Sequence, residues 1–571
     1  MKWTPDQLKA INATDGTLLV SAAAGSGKTA VLVERVIGRI TASVNPCGIE
    51  ELLTVTFTKA AAGEMRQRIS EALTRCIEQN PRDERLRRQQ LMLPFAQIST
   101  IDSFCNTLVR DNFHLLNINP DYRILDEGDL SILRADASEK VIEDLYGDGS
   151  EAALALIELL IQNNDDRLLS EYIIKIHNES QAYPDPSAWL DALALPFNTK
   201  DTAVKSVWGK VIIEYALKAV RFCLKQNEEA LKELEQDENL KEKYEPAFIS
   251  DKNLLLHLVG VLEKGSWDEA VGAVKNLEYD RLGSFRGESL LKERIKGTRD
   301  EYKNILGSLA KHFCAAEDEH REDLEYLSPI VEKLVETVRG FEREFSRLKK
   351  EANGADFSDV LHMALALLVT FKPDGSFERT PLARQMSKSY REILVDEYQD
   401  VNKAQDCLFE ALSKDGQNLF LVGDVKQCIY RFRQAMPEIF TQRLGALPLY
   451  EDKNHPARVI LGTNFRSRKG VTGFANLVFG QLMSKDVGEV DYGREEALVP
   501  GAVYPDSDLP ETQLHIIETP EENAQERIII QARYIAELIG NMIKEGLTVT
   551  DKKGTRPAEY RDFCVLMRSV Q

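Results

Sequence analysis

The sequence feature that most constrains the fold is a run of small residues near the start of the chain. From position 20 it reads Val, Ser, three Ala, Gly25, Ser, Gly27, Lys28 and Thr29. Apolar residues precede it at 17–20, and those at 31–37 have the spacing of an amphipathic helix. A strand, a small-residue loop and a helix in this order suit a phosphate, which backbone N–H groups and the helix N-terminus can surround. The pattern predicts an α/β nucleotide-binding fold, and a glycine-rich cap of an ordinary helix is the alternative.

Individual side chains around this loop have predicted roles in binding ATP. Lys28 can reach the β- and γ-phosphates, and the Thr29 hydroxyl can ligate Mg²⁺. Gln7 lies ahead of the loop on a predicted helix that begins near Thr4, and its amide can form two hydrogen bonds with the edge of adenine. The predicted ATP-binding residues of this segment are Gln7, Ala22, Ala23, Ala24, Gly25, Ser26, Gly27, Lys28 and Thr29.

Two carboxylates follow a second apolar segment, residues 393–395, which reads as a buried parallel strand. Asp396 is predicted to hold Mg²⁺ through water, and Glu397 to polarise the attacking water as general base. Gln427 comes just after a further predicted strand at residues 418–424 and can reach the γ-phosphate. The alternative for the two carboxylates is an acidic cap between a strand and a helix.

Aromatic and hydroxyl side chains collect where the predicted strands end. The strands at residues 51–58 and 97–100 both end in polar residues with a phenylalanine nearby, and aromatic residues alternate with arginines after position 429. Ligands of open α/β sheets bind at the carboxyl ends of the strands, and exposed aromatic rings there suit the stacking of single-stranded bases. The predicted DNA-binding residues are Thr56, Phe57, Thr58, Thr100, Ser103, Phe104, Tyr430, Phe432 and Arg433.

The texture of the chain changes between residues 111 and 359, where helical patterns and polar turns replace strand signals. Ser328 and Pro329 predict the start of one of these helices, because Ser is a good N-cap and Pro suits the first helical position. The sequence therefore predicts a helical domain inserted into an α/β domain. The predicted boundaries are 1–110 with 360–455 for the α/β domain, 111–359 for the insertion, and 456–571 for a third region.

The third region opens with a strand followed by Phe465 and Arg466. Phe465 can stack on adenine, and an arginine supplied by a second domain can stabilise charge on a transferring phosphate. Both residues are therefore predicted to belong to the ATP site.

Composition limits the class of protein. The net charge of −20 argues against binding nucleic acid, although a local groove can be basic on an acidic protein. The eight cysteines are scattered without a Cys-x-x-Cys pair, which predicts reduced thiols and no zinc or iron–sulfur centre. No run of 18 apolar residues occurs, so we expect a cytoplasmic protein without membrane contact.

Together these motifs resemble superfamily 1 DNA helicases of the UvrD/Rep/RecB kind over nearly the whole chain. Within that superfamily they are most similar to the AddA chains of AddAB-type helicase–nucleases, and RecB-type chains are the near alternative. The resemblance rests on Gln7 and on residues 22–29, 56–68, 99–105, 356–359, 396–400, 423–433 and 464–467.

The resemblance implies a RecA-like motor domain with a parallel sheet, a large all-helical insertion and the start of a second RecA-like domain. It also implies ATP-driven unwinding of DNA with 3′ to 5′ movement, Mg²⁺ as cofactor, and the AddB-type chain as heterodimer partner in double-strand-break repair and recombination. The substrates would be single- and double-stranded DNA. The family's later helicase motifs and its C-terminal nuclease domain, which would make the full-length protein an exonuclease, have no counterpart in these residues.

Two other functions stay open at this point. One is a module that binds ATP and single-stranded DNA without turnover of its own. The other is a P-loop ATPase that acts on protein, and the aromatic residues after Gly423 argue against it.

Overall fold

The computed structural model describes residues 3–14, 16–161, 165–198, 201–287, 289–451, 453–488, 490–505, 510–518, 524–551 and 554–567. Contacts divide the chain into two compact units. The sheet unit comprises Met1–Asp111, Ala364–Thr370 and Arg379–Gln571, and the helical unit comprises Asn112–Met363 and Phe371–Glu378.

A six-stranded sheet forms the centre of the sheet unit. Its strands are β1 (Leu18–Ala22), β2 (Leu52–Thr56), β3 (Gln97–Thr100), β4 (Glu392–Val395), β5 (Leu419–Gly423) and β6 (Ala457–Leu461). Their order is β6-β1-β5-β4-β2-β3, and all neighbours are parallel. Val20 of β1 lies between Val459 and Val422. The predicted α/β fold with a parallel sheet is confirmed.

Strands β1, β2, β4 and β5 are buried along their whole length, as expected for parallel strands covered on both faces. Alternate residues of the sheet join one apolar core with the helices Lys28–Thr41 and Lys59–Gln79. The helices of this unit are Pro5–Asn12, Lys28–Thr41, Lys59–Gln79, Glu84–Met92, Ile101–Asp111, Pro381–Ser389, Lys403–Leu412, Pro437–Ala446, Lys469–Leu482, Lys485–Gly488 and Ala524–Lys544. Phe357–Leu368 belongs in part to each unit.

A buried ion cluster joins the helix after β1 to the first residue of β4. The Arg35 guanidinium contacts Glu392 with Nε 3.1 Å and Nη2 2.5 Å from Oε1, and Arg39 Nε donates to Oε2 at 3.2 Å. Arg35 also donates to the carbonyl of Ala10 at 2.5 Å and lies 4.1 Å over the Phe420 ring. One carboxylate thus connects three elements that surround the start of the chain.

Two apolar cores hold the helical unit together. The first lies among Val207–Leu234, Glu238–Lys264, Trp267–Lys275 and Leu290–Leu309. The second lies among Glu127–Asp148, Glu151–Leu160, Arg167–Ser180, Pro186–Ala194 and Glu317–Glu351. A one-turn helix, Phe113–Leu116, also belongs to this unit.

The predicted helix start at Ser328 and Pro329 is wrong. A single helix runs through Glu317–Glu351, with Pro329 inside it. It begins after Ala316, whose backbone N–H donates to the Glu319 carboxylate at 2.9 Å. Buried side chains on both sides of Pro329, including Leu324 and Ile330, stabilise the continuous helix against the local preference of proline.

Four short strand pairs lie outside the main sheet: Arg123–Ile124 with Gly354–Ala355, Val369–Phe371 with Phe377–Arg379, Thr463–Asn464 with Val499–Pro500, and Thr548–Asp551 with Gly554–Pro557. Strand β6 falls after the predicted domain boundary at 455, yet it pairs with β1 in the main sheet. Beyond β6, the division into two motor domains stays a prediction. No helix among the described residues is long and apolar enough to cross a membrane.

Candidate active site

The loop after β1 needs glycine at two positions because its backbone is left-handed there. Gly25 has φ +70° and Gly27, which precedes the helix Lys28–Thr41, has φ +85°. A Cβ at Gly25 would lie 2.7 Å from the Asn464 side chain, so space as well as conformation excludes a larger residue. Ser26 is buried, and its hydroxyl has no hydrogen-bond partner among the described residues. This polar atom fits a loop that accepts a polar ligand.

Gln7 lies directly against this loop. Its Nε2 donates to the carbonyl of Ser26 at 3.0 Å, and its Oε1 accepts from the backbone N–H of Thr4 at 2.9 Å. Reciprocally, Thr4 Oγ1 caps the helix Pro5–Asn12 by accepting from the Gln7 N–H. The helix cap therefore fixes the position of the predicted adenine-binding amide. Of the predicted alanines of the loop, Ala22 and Ala23 are buried and Ala24 is half-buried.

Lys28 meets the acidic and amide side chains that were predicted to share its site. Its Nζ donates to Glu397 Oε2 at 3.0 Å and to Gln427 Oε1 at 3.3 Å. These residues come from the loop after β1, the end of β4 and the turn after β5. Because parallel strands place their carboxyl ends at one edge, residues up to 399 positions apart converge here.

Asp396 follows β4 and lies beside Glu397. Burial, together with the neighbouring Glu397 charge, raises the pKa of Asp396 to about 6. A divalent cation would favour the charged form of Asp396, and Mg²⁺ commonly takes only one or two carboxylates together with substrate phosphates. Asp396 and the Thr29 hydroxyl therefore fit Mg²⁺, although the described residues contain no group of three His, Cys, Asp or Glu arranged for a metal.

Two polar residues of this site were not among the predicted catalytic residues. Gln399 donates from Nε2 to Glu397 Oε2 at 2.8 Å, and Asp424 Oδ2 accepts from Gln427 Nε2 at 2.7 Å. Both side chains are buried. Their position directly after the buried strands β4 and β5 was the available signal, because polar residues there are directed to the ligand edge of the sheet.

The turn after β6 is attached to the phosphate loop. Asn464 is 2% exposed, its Nδ2 donates to the carbonyl of Ala24 at 2.8 Å, and the Phe465 N–H donates to the carbonyl of Gly25 at 2.9 Å. Asn464 Oδ1 accepts from the Arg466 N–H at 2.8 Å. The side chains of Phe465 and Arg466 are exposed. The backbone that carries both predicted ATP-site residues is thus held against the loop.

An aromatic cluster lies beside this site and consists of Phe57, Tyr430, Phe432 and Arg433. The Phe57 and Tyr430 rings have centroids 4.6 Å apart, and those of Tyr430 and Phe432 are 5.7 Å apart. The Arg433 guanidinium lies 5.6 Å from the Tyr430 ring centroid. Phe432 is 76% exposed, so this cluster offers an accessible aromatic surface with a cation beside it.

The other predicted DNA-binding residues are less accessible. Thr56, Thr100 and Phe104 are buried, and Phe104 belongs to the apolar side of its helix. Thr100 Oγ1 accepts from the Ser103 N–H at 3.2 Å and so begins that helix. Thr58 is exposed but caps the helix Lys59–Gln79 by accepting from the Ala61 N–H. The structure gives these residues local structural contacts and does not place the buried ones at a surface.

Comparisons with known proteins agree on one family. The profile described as UvrD/REP helicase N-terminal domain matches residues 3–446. Among relatives named as the A chain of an ATP-dependent helicase/nuclease, the chain is 36% identical to that of Ruminiclostridium cellulolyticum, 35% to that of Clostridioides difficile and 34% to that of Bacillus mycoides. Each match covers 100% of this chain and 49%, 48% and 47% of the relative. The chain spans about half the length of these relatives and belongs to the UvrD/REP helicase N-terminal domain family.

Proposed function

We propose that this chain is the ATP-driven motor part of a DNA helicase that acts in double-strand-break repair and recombination. One observation carries the proposal: the turn that gives Gln427 to the ATP site also gives Tyr430, Phe432 and Arg433 to the aromatic cluster. Because Gln427 and Tyr430 belong to the same short turn, a change at the phosphate is felt at the aromatic surface. A motor that couples hydrolysis to DNA movement requires such a connection.

Each residue of the site has a proposed chemical role. Lys28 neutralises the β- and γ-phosphates, and Gln427 senses the γ-phosphate through its amide. Glu397 accepts a proton from the attacking water, and Arg466 stabilises charge on the transferring group. Mg²⁺, held by Thr29 and Asp396, would supply charge neutralisation to the phosphates.

Further features of the whole protein are proposed from its relatives. Their names describe one lettered chain of a helicase/nuclease, which supports an AddB-type chain as partner and a nuclease activity in the full-length protein. Single- and double-stranded DNA would be the substrates, with movement from 3′ to 5′. Residues 1–571 alone would bind ATP and single-stranded DNA with little turnover, because hydrolysis in this family needs ATP clamped between two motor domains.

Lys28→Ala is expected to remove tight ATP binding, because the phosphates lose the fixed cation of the loop. Titration of residues 1–571 with a fluorescent ATP analogue measures the loss, and thermal unfolding checks that the variant folds. Lys388→Ala is the control, since Lys388 is an exposed lysine on the helix Pro381–Ser389 of the same unit. An unchanged affinity of Lys28→Ala would remove Lys28 from the ATP site.

Substitutions in the aromatic cluster are expected to weaken single-strand binding. Phe57→Ala, Phe432→Ala and Arg433→Ala should each reduce the binding free energy by roughly 1–3 kcal/mol, with little dependence on base sequence. Fluorescence anisotropy with thymine and mixed oligonucleotides at fixed salt measures this. Phe95→Ala is the matched control, because Phe95 is 74% exposed and lies in the same unit. If the cluster variants and the control bind equally well, the DNA path lies elsewhere.

A further inference from the structure

A buried glutamine connects the proposed general base to the turn that carries the aromatic cluster. Gln399 is 1% exposed. Its Nε2 donates to Glu397 Oε2 at 2.8 Å and lies 3.3 Å from Asp400 Oδ2. Its Oε1 accepts from the backbone N–H of Asp424 at 3.0 Å. A single amide therefore contacts both the catalytic carboxylate and the first residue after β5.

These contacts close a ring of hydrogen bonds through the site. Asp424 Oδ2 accepts from Gln427 Nε2 at 2.7 Å, and Gln427 Oε1 accepts from Lys28 Nζ at 3.3 Å. Lys28 completes the ring by donating to Glu397 Oε2 at 3.0 Å. Gln399 joins Glu397 to Asp424 in this ring. The ring includes the phosphate loop, the end of β4 and the turn that leads to the aromatic cluster.

The surroundings leave the Gln399 amide little room to move. A Cβ at Gly423 would lie 2.5 Å from Gln399 Oε1 and 3.1 Å from the Gln399 backbone nitrogen, so the end of β5 closes over it. On the other side, Glu397 has a left-handed backbone with φ +52°, which is uncommon for a residue with a side chain. The hydrogen bond from Gln399 helps to fix the carboxylate that this backbone presents.

We propose that Gln399 is a positioning residue that holds the Glu397 carboxylate and couples the ATP site to residues 424–433. The proposal rests on the proposed function. Lys28 is also the cation assigned to the phosphates, so its donors are shared between ATP and Glu397. The hydrogen bond from Gln399 has no such competitor. When Gln427 turns to the γ-phosphate, Asp424 loses a donor, and the change reaches Glu397 through the Gln399 amide.

Steady-state ATP hydrolysis by the whole gene product that contains this chain, with and without oligothymidylate, tests the proposal. Gln399→Met keeps the volume and removes both hydrogen bonds. It is expected to lower kcat roughly 10- to 100-fold, because the base is displaced from its productive position. KM for ATP and the Kd for oligothymidylate should stay unchanged. The ratio of the rates with and without DNA should fall to near one.

Two further variants separate this role from a general loss of packing. Gln399→Glu keeps the acceptor for the Asp424 N–H but turns a carboxylate toward Glu397, so kcat should fall as well. It serves as the readout if Gln399→Met does not fold. Gly423→Ala displaces the amide without removing it and should lower the same DNA ratio.

Gln89→Met is the matched control, because Gln89 is a buried glutamine of the same unit whose Oε1 accepts from the Ile49 N–H at 2.7 Å. It should leave kcat and the DNA ratio unchanged. A folded Gln399→Met protein with wild-type kcat and DNA ratio would overturn the positioning role and leave the proposed function intact. A rise in KM with unchanged kcat would also overturn it. Absence of DNA-stimulated hydrolysis in the wild-type protein would overturn both.

Discussion

Replacing Glu397 by Gln is expected to lower ATP hydrolysis by roughly 10² or more while ATP still binds. The amide keeps the shape of the side chain and can still accept a hydrogen bond from Lys28 Nζ, which lies 3.0 Å from the carboxylate. It cannot accept a proton from water at neutral pH, so the chemical step loses its base. Single-turnover hydrolysis by the whole gene product, together with ATP-analogue binding, separates the two effects.

Glu64→Gln is the control for this variant, because Glu64 is exposed and forms its ion pair across one helical turn with Arg68. It should hydrolyse ATP like the wild-type protein. A Glu397→Gln variant that lost ATP binding but retained its rate per bound ATP would show that Glu397 is not the base. The carboxylate would then belong to the binding of the nucleotide.

The second large effect concerns stability. Glu392→Gln is expected to reduce the free energy of unfolding by about 3–5 kcal/mol, because it leaves the Arg35 charge buried without its carboxylate. The Arg35 side chain is 1% exposed, and Glu392 is its charged partner at 2.5 Å. Chemical denaturation of residues 1–571 measures the change. Arg68→Met, which removes an exposed arginine, should have little effect.

The effect of Glu392→Gln has a defined pH dependence. Burial alone would raise the pKa of Glu392, but Arg35 and Arg39 outweigh it and hold the pKa below its ordinary value of 4.5. A carboxylate with a lowered folded-state pKa stabilises the fold above that ordinary value, and this contribution disappears as the pH falls through the lowered pKa. The stability difference between wild type and Glu392→Gln should therefore be full at pH 7 and shrink below about pH 4. A difference that grew with acid would contradict this assignment.

Much of the sheet unit follows directly from local sequence patterns. The apolar segments before Lys28, Asp396 and Gln427 are strands, and the small residues between β1 and the next helix form the expected turn. Parallel topology then determines that the three polar segments meet at one edge, as the contacts of Lys28 show. These features were predictable because period, length and turn residues all favour the same structure.

Other features depended on packing that a single segment does not encode. Thr100 and Phe104 have the composition of a ligand site, but the hydroxyl begins a helix and the ring enters the core. Pro329 has a strong local preference, yet tertiary contacts carry the helix through it. The roles of Gln399 and Asn464 emerge only when distant loops are brought together, because their hydrogen-bond partners lie on other strands.

The central claim is that one turn couples ATP hydrolysis to single-stranded DNA. The most direct test is the rate of ATP hydrolysis by the whole gene product, with any partner chain it requires, as oligothymidylate is added at fixed salt. We predict that the rate rises with DNA to saturation in the wild-type protein, and that Phe432→Ala shifts this saturation to higher DNA concentration without changing the rate in the absence of DNA. Hydrolysis that proceeds at the same rate with and without bound DNA would contradict the account.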